Sequence, residues 1–378
     1  MGRPGRSGDA APLVLVGGAV AQRPGCGGHA SVYLQWLLGL RDLGCRVALV
    51  DRLLPGAPAP ATAASLAWLR TVLEPHDLPV LLAGHDRVPR ADLLLDVMGY
   101  ADVEADRRVF VDVDPGFGQL WAELGLHDPY DGYDDLVTVG TAVGSPGSLV
   151  PTRGRSWLPV LPPVHLPSWP VAAGGPAFTT VASWRGPYGP VEHDGRSYGL
   201  RVHSFRQLLG ARAAAGVDVE LALDLDPTDA ADRASLLAAG YRLADPAVVA
   251  ATPDDYRRYV QHSLGELCVA KHLYVETAGG WFSDRSACYL ASGRPVVAQD
   301  TGWTAALPSG EGLLAFTDTA SAAAALAEVA AAPERHARAA RGLAEEHLAS
   351  DVVLPALLDR LGARPAVGGA ARTALATA

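Results

Sequence analysis

Lysine is nearly missing from this chain of 378 residues: Lys271 is the last and only one, and arginine carries the remaining positive charge. Bases are also outnumbered, since 31 Lys and Arg stand against 41 Asp and Glu, for a formal net charge of -10. A chain this acidic has no overall cationic field, which argues against nucleic acid as its main partner. A local basic pocket for phosphates stays compatible with that balance. Four cysteines, Cys26, Cys45, Cys268 and Cys288, lie far apart and form no CxxC pair. Neither a zinc site nor a redox dithiol is signalled, and buried free thiols in a reducing cytoplasm are expected. No stretch approaches the ~18 uninterrupted apolar residues of a membrane-spanning helix. G-x-S-x-G, H-E-x-x-H and a Walker A lysine loop are all absent. His193, Asp194 and His262 have no ligand spacing with other His or Cys.

What is present is an ordinary globular balance, 49% apolar and 19% charged, in a chain too long for one ordinary core. Two domains are expected. Arg3 and Arg6 before the apolar run from Ala10 to Ala21 resemble a signal peptide. The glycines Gly17 and Gly18, and the amphipathic stretch that follows, read instead as the first strand of an α/β domain. Leu13 to Val16 is a short continuous apolar run, the mark of a buried parallel strand. A glycine-rich loop to His29 leads into a helix from Ala30 to Gly44, and Val47 to Val50 is the next strand. Strand and helix alternate to about residue 150, the pattern of a doubly wound sheet. Gly25-Cys26-Gly27-Gly28 does not match G-x-G-x-x-G and reads either as a phosphate loop or as a flexible connection.

Seven prolines between Pro151 and Pro176 predict a semi-rigid linker. The α/β pattern then restarts at Phe178. Domains over 12–165 and 166–361 are expected, with disordered tails at 1–11 and 362–378. The second half centres on Gly279 to Gly302, GGWFSDRSACYLASGRPVVAQDTG, which reads as loop, helix, tight turn, buried strand and polar loop. Ligands of open α/β sheets bind outside the carboxyl ends of the strands. Both polar loops should therefore face one crevice.

Basic groups are informative in an acidic chain. Arg185, Lys271 and Arg285 suit a diphosphate, helped by the free N–H groups of a helix start. For Arg285 the competing role is an ion pair with Asp284 or Asp300. Ser283 stands where a helix cap belongs. Asp112-Val113-Asp114 and Asp224-Leu225-Asp226 put two carboxylates on one face of a strand. They could hold a divalent ion or simply bind turn N–H groups. Asp114, closing a strand toward the crevice, is the first candidate for a general base, and His29 is its rival. Trp184, Tyr188, Trp281 and Phe282 could stack on a base or sugar, or pack the core.

TVASWRG, GELCVAK, the Gly279–Gly302 stretch, LPSGEGLLAF and, earlier, VDVDPGF and LVTVGTAVG together resemble group-1-like glycosyltransferases of the actinobacterial and cyanobacterial branch. The likeness covers most of residues 12 to 360. It implies a GT-B fold: α/β, with two Rossmann-like domains facing a central cleft, the donor held mainly by the second domain and the acceptor by the first. It implies transfer of a sugar from a nucleotide-sugar donor to a hydroxyl or amine of a small-molecule or glycan acceptor, in natural-product or surface-glycan synthesis. The nucleotide sugar would be a co-substrate, with no tightly bound cofactor and no metal. Donor contacts would come from Arg185, Lys271, Ser283, Asp284, Arg285, Asp300 and Thr301. One departure is plain: many retaining relatives carry a spaced pair of glutamates before the small-residue turn, and Gly280 and Cys288 occupy those positions. A nucleotide-sugar epimerase on the same fold, or a non-catalytic nucleotide- or sugar-binding module, are the alternatives.

Overall fold

The computed structural model describes residues 11–186 and 188–363. The tails expected to be disordered lie almost wholly outside these residues. Two parallel sheets form the frame. The first contains β1 (Leu13–Gly17), β2 (Arg46–Asp51), β3 (Val80–Leu82), β4 (Leu93–Val97), β5 (Arg108–Asp112), β6 (Asp135–Thr138) and β7 (Trp157–Pro159) in the order β3-β2-β1-β4-β5-β6-β7. The second contains β8 (Phe178–Ser183), then, after the small antiparallel hairpin β9 (Val191–His193) and β10 (Arg196–Tyr198), β11 (Val219–Asp224), β12 (Arg242–Ala244), β13 (Gly265–Cys268), β14 (Val296–Gln299) and β15 (Leu313–Phe316). Its order is β12-β11-β8-β13-β14-β15.

Central strands read as continuous apolar runs because helices cover both faces of a parallel sheet. Val14, Leu15 and Val16 of β1 and Leu93, Leu94 and Leu95 of β4 are all fully buried. The helix after β1 runs over Gly27–Asp42, starting three residues before the expected Ala30. Gly44, at φ 88°, supplies the left-handed residue that ends it.

The proline-rich segment is more structured than a linker. Trp157–Pro159 forms β7 beside β6, at the sheet's edge, where a residue without an N–H does least harm. Beyond it, Val164 exchanges backbone hydrogen bonds with the far end of the chain: its N–H donates to Leu348 O and its carbonyl accepts from Ser350 N, each 2.8 Å. The final helix, Ser350–Arg360, thereby returns to the first half. It packs so closely on the helix Gly27–Asp42 that a Cβ on Gly39 would lie 2.6 Å from both Ser350 Cβ and Leu354 Cδ1.

A second junction joins the halves beside the cleft. Thr141 N and Ala142 N donate to the carbonyls of Gly280 and Gly279 at 3.2 and 3.0 Å, and Leu149 N donates to Thr277 O at 2.7 Å. This explains the missing glutamate. Gly280 has φ 75°, and a Cβ there would fall 2.5 Å from Thr141 Oγ1 and 2.6 Å from Ala142 N. No side chain fits where the two backbones pair. The other expected glutamate position, Cys288, is buried in the helix Asp284–Ala291.

Gly280→Ala should lower stability by at least ~1–3 kcal/mol, the cost of a strained left-handed residue, with the clash added to it. Gly56→Ala is the control, since Gly56 has φ 71° with nothing near its Cβ. Equal denaturant midpoints for the two variants would show that the junction tolerates a side chain.

Candidate functional site

The carboxyl ends of both sheets open onto one cleft of about 1020 Å³. Pockets for a single drug-sized ligand span ~300–1,000 Å³, so a donor and an acceptor can share it. The first half contributes the loop Arg23 to His29, Val32 and Tyr33, the ends of β4 and β5, and Phe117. The second half contributes the loops after β8, β11 and β13 and the start of the helix Asp284–Ala291.

Three largely buried cations gather at the ends of the second sheet: Arg201, Lys271 and Arg285 line the cleft together. Arg285 is buried and committed. Its Nε donates to Glu266 in a close ion pair, its Nη1 to Val181 O at 3.0 Å, and its Nη2 to Cys268 Sγ at 3.3 Å. Burial opposes its charge, but the Glu266 carboxylate more than offsets this and holds its pKa well above the ordinary value. Ser286 Oγ donates to the second Glu266 oxygen at 2.6 Å. The expected competing role, an ion pair, is therefore present, with Glu266 rather than Asp284 or Asp300 as partner. Sequence inspection could not supply Glu266, because it sits inside a four-residue strand that reads as core.

Lys271 spans the halves. Its Nζ donates to Asp114 Oδ1 and Oδ2 at 2.8 and 2.6 Å, and Tyr274 Oη donates to the same carboxylate. Burial lowers the lysine pKa while Asp114 opposes the shift. Asp114 thus lies in the cleft as expected, but engaged by an ammonium and a phenol from the other half.

Arg201 is the functional candidate missed by sequence reasoning. It is 7% exposed and touches only backbone oxygens, Val269 O at 3.0 Å and Ser183 O at 2.9 Å. Among the described residues it makes no ion pair. Burial lowers its pKa, and the charge of Arg285 lowers it further. No local motif marks it: it begins a short helix after the β9–β10 hairpin.

The remaining expected residues divide. Ser283 caps its helix, accepting from Arg285 N at 3.2 Å, and lines the cleft with Asp284. Burial raises the pKa of Asp284. Arg185 lines the cleft but is held by Asp229, with Nε at 2.8 Å and Nη2 at 2.5 Å. Asp300 and Thr301 do not line it. Asp300 accepts from Gly302 N at 2.8 Å and Thr304 Oγ1 at 3.0 Å, and Thr301 Oγ1 donates to Trp281 O at 2.6 Å. Their oxygens shape the loop itself, outside the cleft lining where they were expected.

Both D-x-D pairs are also spoken for in part. Asp112 is buried and accepts from Gln119 Nε2, Thr138 Oγ1 and Asp114 N. Asp226 accepts from Thr228 N and Oγ1. Among the described residues, no group of three or more His, Cys, Asp or Glu is placed to hold a metal ion. Trp184 and Phe282 are core residues, whereas Tyr188 and Trp281 face the cleft. Cys26, expected to be buried, is exposed at the cleft mouth.

The glycine loop serves an approach between halves. Gly27 N donates to Ala250 O at 2.8 Å, and a Cβ on Gly27 would lie 2.1 Å from Thr252 O. The neighbouring His29 packs edge-on against Tyr33, ring centroids 5.2 Å apart, and its buried Nδ1 has no hydrogen-bond partner. Burial, reinforced by Arg23, pushes its pKa down to about 4.

Two parallel sheets facing a cleft at their strand ends, with the last helix crossing back, are the fold of the GT-B glycosyltransferases. Among solved structures, Anabaena Alr3699/HepE in complex with UDP and glucose superimposes with a TM-score of 0.55 at 11% identity, over 93% of this chain and 99% of its own. AviGT4, a glycosyltransferase involved in avilamycin A biosynthesis, gives 0.54 at 14% identity, over 93% and 98%. An α-glucosyltransferase in complex with UDP and a DNA 13-mer gives 0.58 at 11% identity, over 94% and 100%. No protein-family model matches the chain, and no curated protein matches it. The expected fold is borne out. Because one fold relative holds DNA, the fold lends no support to the expected exclusion of nucleic acid. Among the described residues, no helix is long and apolar enough to cross a membrane.

His29 makes stability pH-dependent in a defined direction. Its folded pKa, about 4, lies below the ordinary 6.5, so its contribution is fully present above pH 6.5 and is lost as pH falls toward 4. Asp51 and Asp112, whose pKa values burial raises to about 6, act with the opposite sign, losing stability as pH rises from the ordinary 3.8 through 6. The wild type should therefore lose about 2 kcal/mol more than His29→Gln between pH 7 and pH 5. Parallel denaturation curves for the two proteins at both pH values would refute the neutral, buried assignment.

Proposed function

We propose that this protein is a glycosyltransferase that moves a sugar from a nucleoside diphosphate onto an acceptor hydroxyl bound in the interdomain cleft. The observation that carries the reading is Arg201. A buried guanidinium without a carboxylate partner is costly, and this one lines the cleft beside Lys271 and the N-terminus of the helix Asp284–Ala291. A diphosphate supplies the missing charge and accepts from the free N–H groups of the helix start.

Glycosyl transfer builds negative charge on the departing diphosphate as the sugar becomes cationic. Donors fixed before the reaction stabilise that charge without reorganising. Arg201 and Lys271 act there directly. Arg285, tied to Glu266, keeps the helix start in place and turns its remaining N–H groups toward the leaving group. Asp114 holds the Lys271 ammonium in position, a role that replaces the general-base role expected of it. His29 is the acceptor-side base: it is neutral at pH 7, it lines the cleft, and the ring nitrogen facing away from its protein contacts can accept a proton from the attacking hydroxyl. Its low pKa makes it a weak base, so it works with a leaving group already stabilised by the cations opposite.

Incubation with a panel of nucleotide sugars, with detection of free nucleoside diphosphate, tests the activity. Release or transfer supports it; isomerisation without release would identify an epimerase, and binding without turnover a recognition module. Arg201→Met, which keeps volume without leaving a charge behind, should weaken nucleoside diphosphate binding by about 1.5–3 kcal/mol, the range for a hydrogen bond to a charged group. Calorimetry showing unchanged affinity in the folded variant would remove Arg201 from the site. His29→Gln should abolish transfer while sparing donor binding.

A further inference from the structure

The two walls of the cleft differ in chemistry, and the difference bears on the acceptor. The second-half wall carries Arg185, Arg201, Arg233, Lys271 and Arg285, together with Asp224, Asp245, Asp284, Ser183 and Ser283. The first-half wall is of another kind. Its lining contains no serine, threonine, asparagine, glutamine or glutamate side chain. Its one carboxylate, Asp114, is already engaged by Lys271 and Tyr274. Its one histidine is held neutral by burial. Tyr33 Oη already accepts from Ala19 N at 3.3 Å. What remains is mainly Val32, Val97, Met98, Val113 and the buried rings of Tyr33 and Phe117, with the Tyr100 phenol alongside and the glycine loop, including exposed Arg23 and Cys26, at the rim.

Aromatic groups also close this side of the cleft. Tyr188, from the loop after β8, reaches across to the first half, with its ring 4.6 Å from that of Trp121 in a T-shaped contact and 6.0 Å from that of Phe117. Lys271 Nζ lies 4.9 Å from the centre of the Phe117 ring, so the apolar wall begins directly beside the cation that faces the donor.

We propose that the acceptor is a flat, largely apolar hydroxyl compound, a phenol or other aromatic aglycone, and not a sugar or oligosaccharide. This rests on the transferase reading above and specifies its acceptor. A glycan brings several hydroxyls on every ring, and each one buried without a partner costs affinity. Apart from Tyr100 and Arg23 at its edge, this wall offers a polar partner to the reacting hydroxyl alone, at His29. An aromatic aglycone needs no more than that. Its faces gain from edge and stacking contacts with the accessible rings of Tyr100 and Tyr188, and the contact of Tyr188 with Trp121 closes this side of the space.

The test uses calorimetry on the full chain with three probes: uridine diphosphate, the phenol 4-methylumbelliferone and maltotriose. Binding of the phenol with no measurable binding of maltotriose is expected, and Tyr188→Ser, a change at an exposed loop, should weaken the phenol at least tenfold. Tighter binding of maltotriose than of the phenol, or phenol affinity unchanged by Tyr188→Ser, would overturn the assignment. Uridine diphosphate reports separately on the donor wall. If it binds while the phenol does not, the acceptor inference fails and the transferase reading stands. If the phenol binds in a Tyr188-dependent way and no nucleoside diphosphate from a wider set does, the transferase reading fails and the apolar wall is upheld.

Discussion

Buried positive charge is the constraint around which the second half is arranged. Three cations, Arg201, Lys271 and Arg285, converge where its strands end, and two carboxylates, Glu266 and Asp114, each take one of them. The pairings divide the labour. Glu266 lies in the same sheet as the helix it anchors, so its bond to Arg285 is internal and keeps the helix start in register with β13. Asp114 belongs to the other half, so its bond to Lys271 brings the two domains together across the cleft. Arg201 is left with backbone carbonyls alone. An uncompensated charge in a low-dielectric site favours an anionic ligand, and the fold has paired the rest away.

Domain placement follows the same economy of contacts. The halves are not joined by a simple hinge. The chain crosses after β7, crosses back at Leu348, and pairs backbone to backbone at Gly279 and Gly280. The last of these contacts lies one turn of chain from the helix that carries Ser283 and Arg285. Domain position and cleft geometry are therefore mechanically linked, and the small residues at 279 and 280 are what permit the approach. The absence of a glutamate at 280 is a consequence of that approach.

The two walls of the cleft differ in the charge they carry. Among the lining residues, the second half carries four arginines and Lys271, whereas Arg23 is the one arginine of the first half.

Much of this was legible in the chain. Continuous apolar runs such as Leu13–Val16 and Val296–Ala298 identified parallel strands, because burial on both faces leaves no room for alternation. Ser283 announced a helix start because only a few side chains can accept from a free N–H. Likewise, the single lysine and the SDRS cluster marked the second half's strand ends as chemically special. Other features became visible only in three dimensions. Whether Arg285 faces a ligand or a carboxylate depends on Glu266, nineteen residues away in an ordinary-looking strand. Asp114 and Lys271 are 157 residues apart, and nothing local shows that one neutralises the other. Arg201 has no motif at all. Local sequence determines which segments become strands and helices, since that rests on periodicity and caps within a few residues. Which charges are paired and which are left for a ligand is a sum over the whole structure, and only the packing of two domains against each other decides it.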